Sequence, residues 1–237
     1  MIGTLINVAA ILVGGSIGLL IGGRLSDRLK ATIISGMGLF TAVIGIKMFL
    51  ETQNSLIVLG SLVIGILLGE WWKIEDSLQQ LGEKLEKRFT RSNGASEPGS
   101  PQHDFVRGFM IASLLFCVGP IAILGSIQAG LSGDYNLLVI KSVLDGFAAL
   151  AFASTLGVGV LFSAGMILLY QGSITLLAAQ LDAIVTGPMQ AELTATGGVL
   201  LVGIAISSLL EIKKIRVGNF LPALVLAPLI VWIVSLF

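Results

Sequence analysis

Cysteine and histidine are nearly missing from this sequence of 237 residues, which contains only Cys117 and His103 of these two types. One cysteine cannot form an internal disulfide, and one histidine cannot build a multi-histidine metal site. The apolar segments also lack a serine–histidine pair, a cluster of metal ligands and a phosphate-binding loop. We therefore predict no cofactor, no metal centre and no enzymatic activity.

Charged residues are also scarce, at 12% of the chain compared with about 25% in soluble domains. The 14 basic and 14 acidic residues give a net charge of zero, which argues against a nucleic-acid-binding protein. Apolar residues make up 55% of the chain, and the mean hydropathy is +0.97. This composition predicts an integral membrane protein whose main partner is the lipid bilayer.

Eight apolar stretches reach or approach the roughly 20 residues that a membrane-spanning helix needs. They cover residues 2–22, 31–50, 55–72, 105–127, 137–156, 159–180, 195–211 and 218–237. Gly119-Pro120 interrupts the fourth stretch, and proline breaks the hydrogen-bond ladder of a helix. We predict an all-α polytopic membrane protein with about eight transmembrane helices, of which the fourth is broken. The number falls to seven if the fourth stretch is re-entrant.

Lysine and arginine fall almost entirely on one side of this topology. Twelve of the 14 basic residues occur in the stretches 24–30, 73–107 and 213–216. With eight spans these stretches share one side, which the positive-inside rule assigns to the cytoplasm. Both termini are then predicted to lie outside.

Residues 73–104 form the one plainly soluble stretch, and they divide the chain into a front part, 1–72, and a rear part, 105–237. Residues 91–104 are rich in Ser, Gly and Pro, which is typical of a flexible linker. We therefore expect three transmembrane helices before the soluble stretch and about five after it.

The first half of this soluble stretch has the pattern of an amphipathic helix over residues 73–90. Its apolar stripe consists of Ile74, Leu78, Leu81, Leu85 and Phe89. Trp71 and Trp72 precede it, where an aromatic belt is expected. Two interpretations stay open: the helix lies on the inner leaflet, or it packs on the cytoplasmic face of the protein itself.

Glycine is abundant, and some glycines recur at steps of four. Gly14, Gly18 and Gly22 follow one face of the first span, and Gly65 and Gly69 do the same in the third. Such spacing lets another helix backbone approach closely. We expect these faces to be packing surfaces, and they also suit a homo-oligomer.

Lys141 and Asp145 lie four residues apart in the fifth stretch, so they share one helix face. Ionisable groups in hydrocarbon are costly and usually face a partner or a wet cavity. In a structural interpretation, Lys141 neutralises Asp145 and the pair orients two helices. In a functional one, Asp145 binds a cation or a proton, and Lys141 competes with it or contacts an anionic group.

The broken fourth stretch and the sixth stretch add further polar groups. Breaks expose backbone groups at membrane depth, and transporters place binding sites there. The alternative is a proline kink with ordinary interhelical hydrogen bonds. Besides Asp145 and Lys141, the predicted substrate-binding or ion-binding residues are Gly119, Pro120, Ser126, Gln128 and Gln171.

Several short motifs along the chain form a recognisable set. They are Gly3-Thr-Leu-Ile-Asn-Val8, the run from Gly119 to Leu131, Gly133-Asp134, Lys141 with Asp145-Gly146, Gln171-Gly172, Gly197-Gly198 and Ile215-Arg-Val-Gly-Asn-Phe-Leu-Pro222. This set resembles the YqgA/YdfK-like family of bacterial membrane proteins over nearly the whole chain. Ala129 departs from the acidic residue expected in many relatives, so a charge there is not essential. The resemblance implies a helical fold in a bacterial inner membrane, and it brings no activity, substrate or catalytic residue with it.

Two functions follow from these observations. The first is a transporter of a small solute or ion, with a site between spans four, five and six that uses Asp145 and Lys141 for ion coupling. The alternative is a membrane scaffold or regulatory partner that acts through the amphipathic helix at 73–90.

Overall fold

The computed structural model describes residues 1–89, 101–118, 120–178 and 186–236, and it contains helices and no β-strand in these ranges. The α-helices are α1 Ile2–Gly22, α2 Asp27–Phe49, α3 Ser55–Trp72, α4 Ile74–Phe89, α5 Pro101–Cys117, α6 Pro120–Leu131, α7 Asn136–Leu156, α8 Gly159–Leu176, α9 Gly187–Ile204 and α10 Pro222–Val234. A π-helical turn, Ala205–Leu209, extends α9, and a 3-10 turn, Val217–Phe220, precedes α10. The predicted all-α fold is confirmed.

Seven of these helices are long and apolar enough to cross a membrane, and the bent pair of α5 and α6 makes an eighth span if it is counted as one. Most bounds agree with the apolar stretches to within a few residues. Residues 91–100 of the predicted linker lie outside the described residues, and α5 begins at Pro101. The chain is therefore a polytopic helical membrane protein.

The largest difference from the sequence concerns α9, which begins at Gly187 and not at residue 195. The predicted stretch 195–211 leaves Glu192 in the preceding loop. In the structure it lies inside α9 and is 1% exposed. Its carboxylate accepts hydrogen bonds from the Thr52 hydroxyl at 2.7 Å and from the Gln53 and Asn54 amides at 2.8 Å each. These donors replace water, so the helix can include the charge.

The chain divides into two compact units, each built from segments that are distant in sequence. The first unit contains Met1–Ser35, Leu78–Cys117 and Ile121–Leu181. The second contains Gly36–Ser77, Val118–Pro120 and Asp182–Phe237.

α5 and α6 are bent by 60° relative to each other at the break between them. The backbone at Phe105 in α5 meets Gly159 at the start of α8, and Gly130 in α6 meets Thr175 near the end of α8. The two short helices thus follow α8 from one end to the other. A re-entrant loop would return to the end where it began, so α5 and α6 have the arrangement of one bent crossing. The predicted broken fourth helix is confirmed.

Close glycine contacts join α1 to α7 in the first unit. Gly14, Gly18 and Gly22 lie against the backbone carbonyl groups of Gly146, Leu150 and Ser154, respectively. The residue numbers rise together, so the two helices are parallel. Consecutive spans reverse direction, so a parallel α7 requires an odd number of crossings between it and α1. The crossings α2, α3 and bent α5–α6 satisfy this requirement.

The second unit also uses glycine for close packing, between antiparallel helices. Gly65 and Gly69 in α3 lie against Ala223 and Asn219, and Gly45 in α2 lies against Gly198 in α9. The predicted role of the glycine faces in packing is therefore confirmed. These faces are occupied within the chain and need no second copy.

The amphipathic helix is present as α4. In the first unit its Gly82 packs against Val106 and Phe109 of α5, where a Cβ would lie 3.1 Å from the Phe109 ring. Leu81 is 39% exposed, although it belongs to the predicted apolar stripe. Part of α4 thus packs on α5, whereas the Leu81 side chain is exposed on the surface of the protein.

Candidate functional site

Two charged side chains of α7 are buried inside the first unit. The Lys141 ammonium forms an ion pair with Oδ2 of Asp145, one turn further along the helix. The two residues are 6% and 8% exposed. Asp145 lies about 14 Å along α7 from its first residue. The pair is therefore at membrane depth, where burial of a charged side chain costs free energy and such side chains usually pair with other polar groups.

α1 and α8 supply the remaining partners of this ion pair. Nδ2 of Asn7 donates to Oδ2 of Asp145 at 3.0 Å and to Oε1 of Gln171 at 3.2 Å. Asn7 and Gln171 have no exposed surface. We call Asn7, Lys141, Asp145 and Gln171 the polar cluster. One asparagine amide thus links the carboxylate on α7 to the carboxamide on α8.

Two atoms of the polar cluster have no hydrogen-bond partner among the described residues. They are Oδ1 of Asn7, an acceptor, and Nε2 of Gln171, a donor. Buried polar atoms are nearly always paired, and an unpaired one costs free energy. The cluster therefore has both an acceptor and a donor that can contact a small ligand or a water molecule.

The polar cluster has different neighbours towards the start of α1 and towards its end. Towards the start of α1, the hydroxyl oxygens of Thr4 and Thr175 lie 3.5 Å apart, one turn from Asn7 and Gln171. On this side Gly3 packs against Leu138 near the start of α7, and in the other direction the glycines from Gly14 to Gly22 pack against the α7 backbone. Polar side chains thus continue for one turn from the cluster towards the start of α1, and α1 packs closely on α7 on both sides of the cluster.

The end of α5 belongs to the same unit as the polar cluster. Cys117, the last residue of α5, is close enough to Lys141 and Asp145 for both charges to act on its thiol. Among the residues that the structure describes, no group of three or more His, Cys, Asp and Glu side chains could hold a metal ion. The cluster itself offers carboxylate and amide oxygens, amide donors and an ammonium group, which suit a cation held by oxygen atoms, a proton or a small polar solute.

Three of the predicted binding residues come together in this cluster, namely Lys141, Asp145 and Gln171. Pro120 begins α6 at the break. Gly119 lies outside the described residues. The spacing of four between Lys141 and Asp145 correctly anticipated their ion pair, because side chains at this spacing meet on a helix.

Ser126 and Gln128 lie elsewhere in the first unit. The buried Ser126 hydroxyl donates to the Ala122 carbonyl oxygen of its own helix at 2.6 Å. Gln128 is exposed, and its Nε2 lies 3.5 Å from Oδ2 of Asp134 in the loop after α6. Hydrogen bonds thus tie both side chains to α6 and its loop, and their part in binding stays a prediction.

Comparison with known proteins identifies the family. The family described as "Protein of unknown function (DUF554)" matches residues 2–232. The chain belongs to this family. It is 31% identical to the "Uncharacterized membrane protein YdfK" of Bacillus subtilis (strain 168) over 241 aligned residues, covering 100% of this chain and 98% of the relative. It is 32% identical to the "Uncharacterized protein YqgA" of Escherichia coli (strain K12) over 228 residues, covering 96% and 94%. No solved structure matches the chain significantly.

One residue of the site in this DUF554 member was missed in the sequence, namely Asn7. It lies in the opening run Gly3–Val8 that supports the family resemblance, but nothing in the first span indicates which helix it faces. The only signal was an amide inside an apolar stretch. Its partners Asp145 and Gln171 lie 138 and 164 positions away in sequence, so only the fold brings them together.

Another motif of the DUF554 chain, Ile215–Pro222, has a structural role in the second unit. The Gly218 amide donates to Oε2 of Glu75 at 2.6 Å, and the Glu75 amide donates to Oδ1 of Asn219 at 2.7 Å. Arg216 pairs with Glu70 at 3.3 Å. Burial raises the pKa of Glu75, although the Gly218 amide and nearby cations oppose the change. Through these hydrogen bonds to Glu75, the motif Ile215–Pro222 fixes the position of the start of α4.

Proposed function

We propose that this protein transports a small solute or an ion through the first unit, with the polar cluster as its binding site and without catalytic chemistry. The ion pair of Lys141 and Asp145 carries the proposal, because it is buried at membrane depth with the partly unpaired amides of Asn7 and Gln171. Stability alone does not explain such a pair, since well-packed apolar residues are often as stable as a buried ion pair. A binding role explains why a buried ion pair is present although burying its two charges costs free energy.

The broken crossing supports the same proposal. Interrupted helices in transporters present backbone groups to the substrate and allow the two ends of a site to open separately. Here α5 ends at Cys117, whose thiol is within electrostatic range of Lys141 and Asp145. A movement of this end of α5 would therefore change the surroundings of the binding site.

Ligand binding and transport test this proposal. Purified protein is screened by thermal unfolding against ions and small metabolites at several pH values, because a ligand that binds the folded state raises its unfolding temperature. Hits are then measured as uptake into proteoliposomes. Asp145→Asn should unfold cooperatively yet lose both the shift and the uptake. Asp134→Asn makes the same change in the loop between α6 and α7 and should behave as wild type. Normal binding and uptake by Asp145→Asn would refute the proposed role.

We also propose a bacterial inner-membrane location with residues 73–104 in the cytoplasm and both termini outside. Twelve of the 14 basic residues then face the cytoplasm, as the positive-inside rule requires. Fusions of the C-terminus to a reporter active only in the periplasm and to one active only in the cytoplasm distinguish the two orientations. Activity of the cytoplasmic reporter alone would place the C-terminus in the cytoplasm. Either the whole topology would then be reversed, or the chain would have one span fewer than proposed.

Exposure of apolar residues near α4 favours a second function, that of a membrane scaffold or regulatory partner. Trp71, Trp72 and Leu81 are 78%, 59% and 39% exposed, and they could meet the inner leaflet or a soluble protein. In this case Leu81→Glu should impair function more than Asp145→Asn. Partner capture that is unaffected by deletion of residues 73–100 would count against the scaffold.

A further inference from the structure

The polar cluster has no net charge. The Lys141 ammonium and the Asp145 carboxylate compensate each other, and the described residues of α1, α6, α7 and α8 include no other charged side chain. Arg107 on α5 lies about three helical turns before Cys117. A solute with a net charge would leave an uncompensated charge in a region of low dielectric constant, which costs free energy. The charge balance of the cluster therefore favours an uncharged solute.

The hydrogen bonds within the cluster leave one acceptor and one donor unused. Oδ2 of Asp145 accepts from Lys141 and Asn7, and Oε1 of Gln171 accepts from Asn7. Oδ1 of Asn7 and Nε2 of Gln171 have no hydrogen-bond partner among the described residues. An uncharged solute that donates one hydrogen bond and accepts another would satisfy both atoms, and it would recover the free energy that each unpaired atom costs.

These two unpaired atoms are near enough for one small molecule to contact both. A hydrogen bond of 3.2 Å joins the side chains of Asn7 and Gln171, so covalent bond lengths place Oδ1 of Asn7 within about 8 Å of Nε2 of Gln171. A carboxamide that donates to the first atom and accepts from the second, through hydrogen bonds of about 2.9 Å, can span up to about 8 Å. A single water oxygen spans only about 6 Å.

We propose that the polar cluster binds an uncharged solute that carries a hydrogen-bond donor and an acceptor on one carbon atom, such as a primary carboxamide or a urea. This inference rests on the proposed transport function. The solute donates to Oδ1 of Asn7 and accepts from Nε2 of Gln171, between α1 and α8. Asn7 and Gln171 have no exposed surface, so the solute enters only when the helices around the cluster separate. The structure therefore shows the site in a closed form.

Thermal unfolding of the full-length protein with four probes of similar size tests the inference. Acetamide donates and accepts without a charge, and acetone only accepts. Acetate only accepts and is negatively charged, whereas ethylammonium only donates and is positively charged. We expect acetamide to raise the unfolding temperature of wild type along a saturating curve. Each of the other three leaves a buried atom unpaired, so its apparent affinity should be weaker by about tenfold or more.

Two glutamine variants provide the matched comparison. Gln171→Leu removes the unpaired donor and should lose the acetamide shift. Gln80→Leu makes the same change on the exposed surface of α4 in the first unit and should keep the shift. A cooperative unfolding transition shows that each variant is folded. The comparison of the four probes in wild type decides the question even if Gln171→Leu does not fold.

The outcomes separate this inference from the transport proposal. An acetamide shift that exceeds the other three and is lost in Gln171→Leu would support the inference. Equal shifts with acetamide and acetone, or an acetamide shift that Gln171→Leu retains, would overturn it. Shifts that depend on Asp145 with charged solutes and with no uncharged one would also overturn it and leave transport through the cluster intact. The absence of any shift that depends on Asp145, with these probes and in the wider ligand screen, would overturn both.

Discussion

Replacing Gly18 by alanine is expected to force α1 away from α7. A Cβ at Gly18 would lie 3.0 Å from both the Cα and the carbonyl carbon of Leu150, and closer still to its carbonyl oxygen. Ordinary van der Waals contacts of a Cβ begin at about 3.4 Å. Leu150 presents backbone here and not a flexible side-chain end, so no rotamer change can relieve the clash. The helices must separate.

The expected loss of stability follows from that separation. A radial gap of 0.5–1 Å already forfeits a quarter to a half of the attraction between packed atoms. Gly14 and Gly22, which lie one turn away on either side, would lose contact with α7 at the same time. Overpacking of this kind costs about 1–3 kcal/mol. The separation would also weaken the hydrogen bond from Asn7 to Asp145, because the same two helices hold it.

Thermal unfolding in detergent, followed by circular dichroism, measures the effect. Gly165→Ala is the matched control, because this glycine lies in α8 of the same unit and a Cβ there meets nothing within 4 Å. The control should be neutral or stabilising by up to about 1 kcal/mol, since alanine favours a helix over glycine. Equal unfolding temperatures for the two variants would refute the packing argument.

Four further predictions concern single side chains. Asn7→Ala should abolish ligand shifts that depend on Asp145, because the bridging amide is lost; retained shifts would exclude α1 from the site. Gln128→Ala should leave the same shifts unchanged, since its side chain is exposed, and their loss would extend the site to the α6 loop. Glu192→Ala should lower the free energy of unfolding by about 1–3 kcal/mol through unpaired donors, whereas an unchanged denaturation midpoint would contradict this. Because burial raises the pKa of Glu75, the folded protein binds this proton more tightly than the unfolded chain, and wild type should lose stability relative to Glu75→Gln as the pH rises above 4.5. Unfolding midpoints of both proteins from about pH 4 to pH 7 check the sign, and a relative gain would reverse it.

Helix positions were largely predictable because hydropathy is a local property. The bounds of α1 and α3 agree with their apolar stretches, and Gly119-Pro120 marked the bend between α5 and α6. The start of α9 was not predictable in this way. Glu192 is compatible with a helix only because donors from residues 52–54 surround its carboxylate, and those residues lie far away in sequence.

The candidate site was only partly predictable for a similar reason. Lys141 and Asp145 could be paired from their spacing, since four residues make one helical turn. Gln171 was a reasonable choice as an amide in an apolar span. Ser126 and Gln128 looked equivalent to it in the sequence, yet their side chains bond to α6 and its loop. Asn7 could not be selected, because its importance depends on which helices pack against α1.

The sequence by itself determined that this protein is a helical membrane protein, where most of its spans begin and end, and that two opposite charges share one face of α7. These properties depend on composition and on contacts within one or two turns. The tertiary structure decided that α1 packs parallel to α7, that Asn7 joins Asp145 to Gln171, and that Oδ1 of Asn7 and Nε2 of Gln171 have no hydrogen-bond partner among the described residues. Those results depend on how distant helices pack, and glycine spacing indicates a close approach without naming the partner.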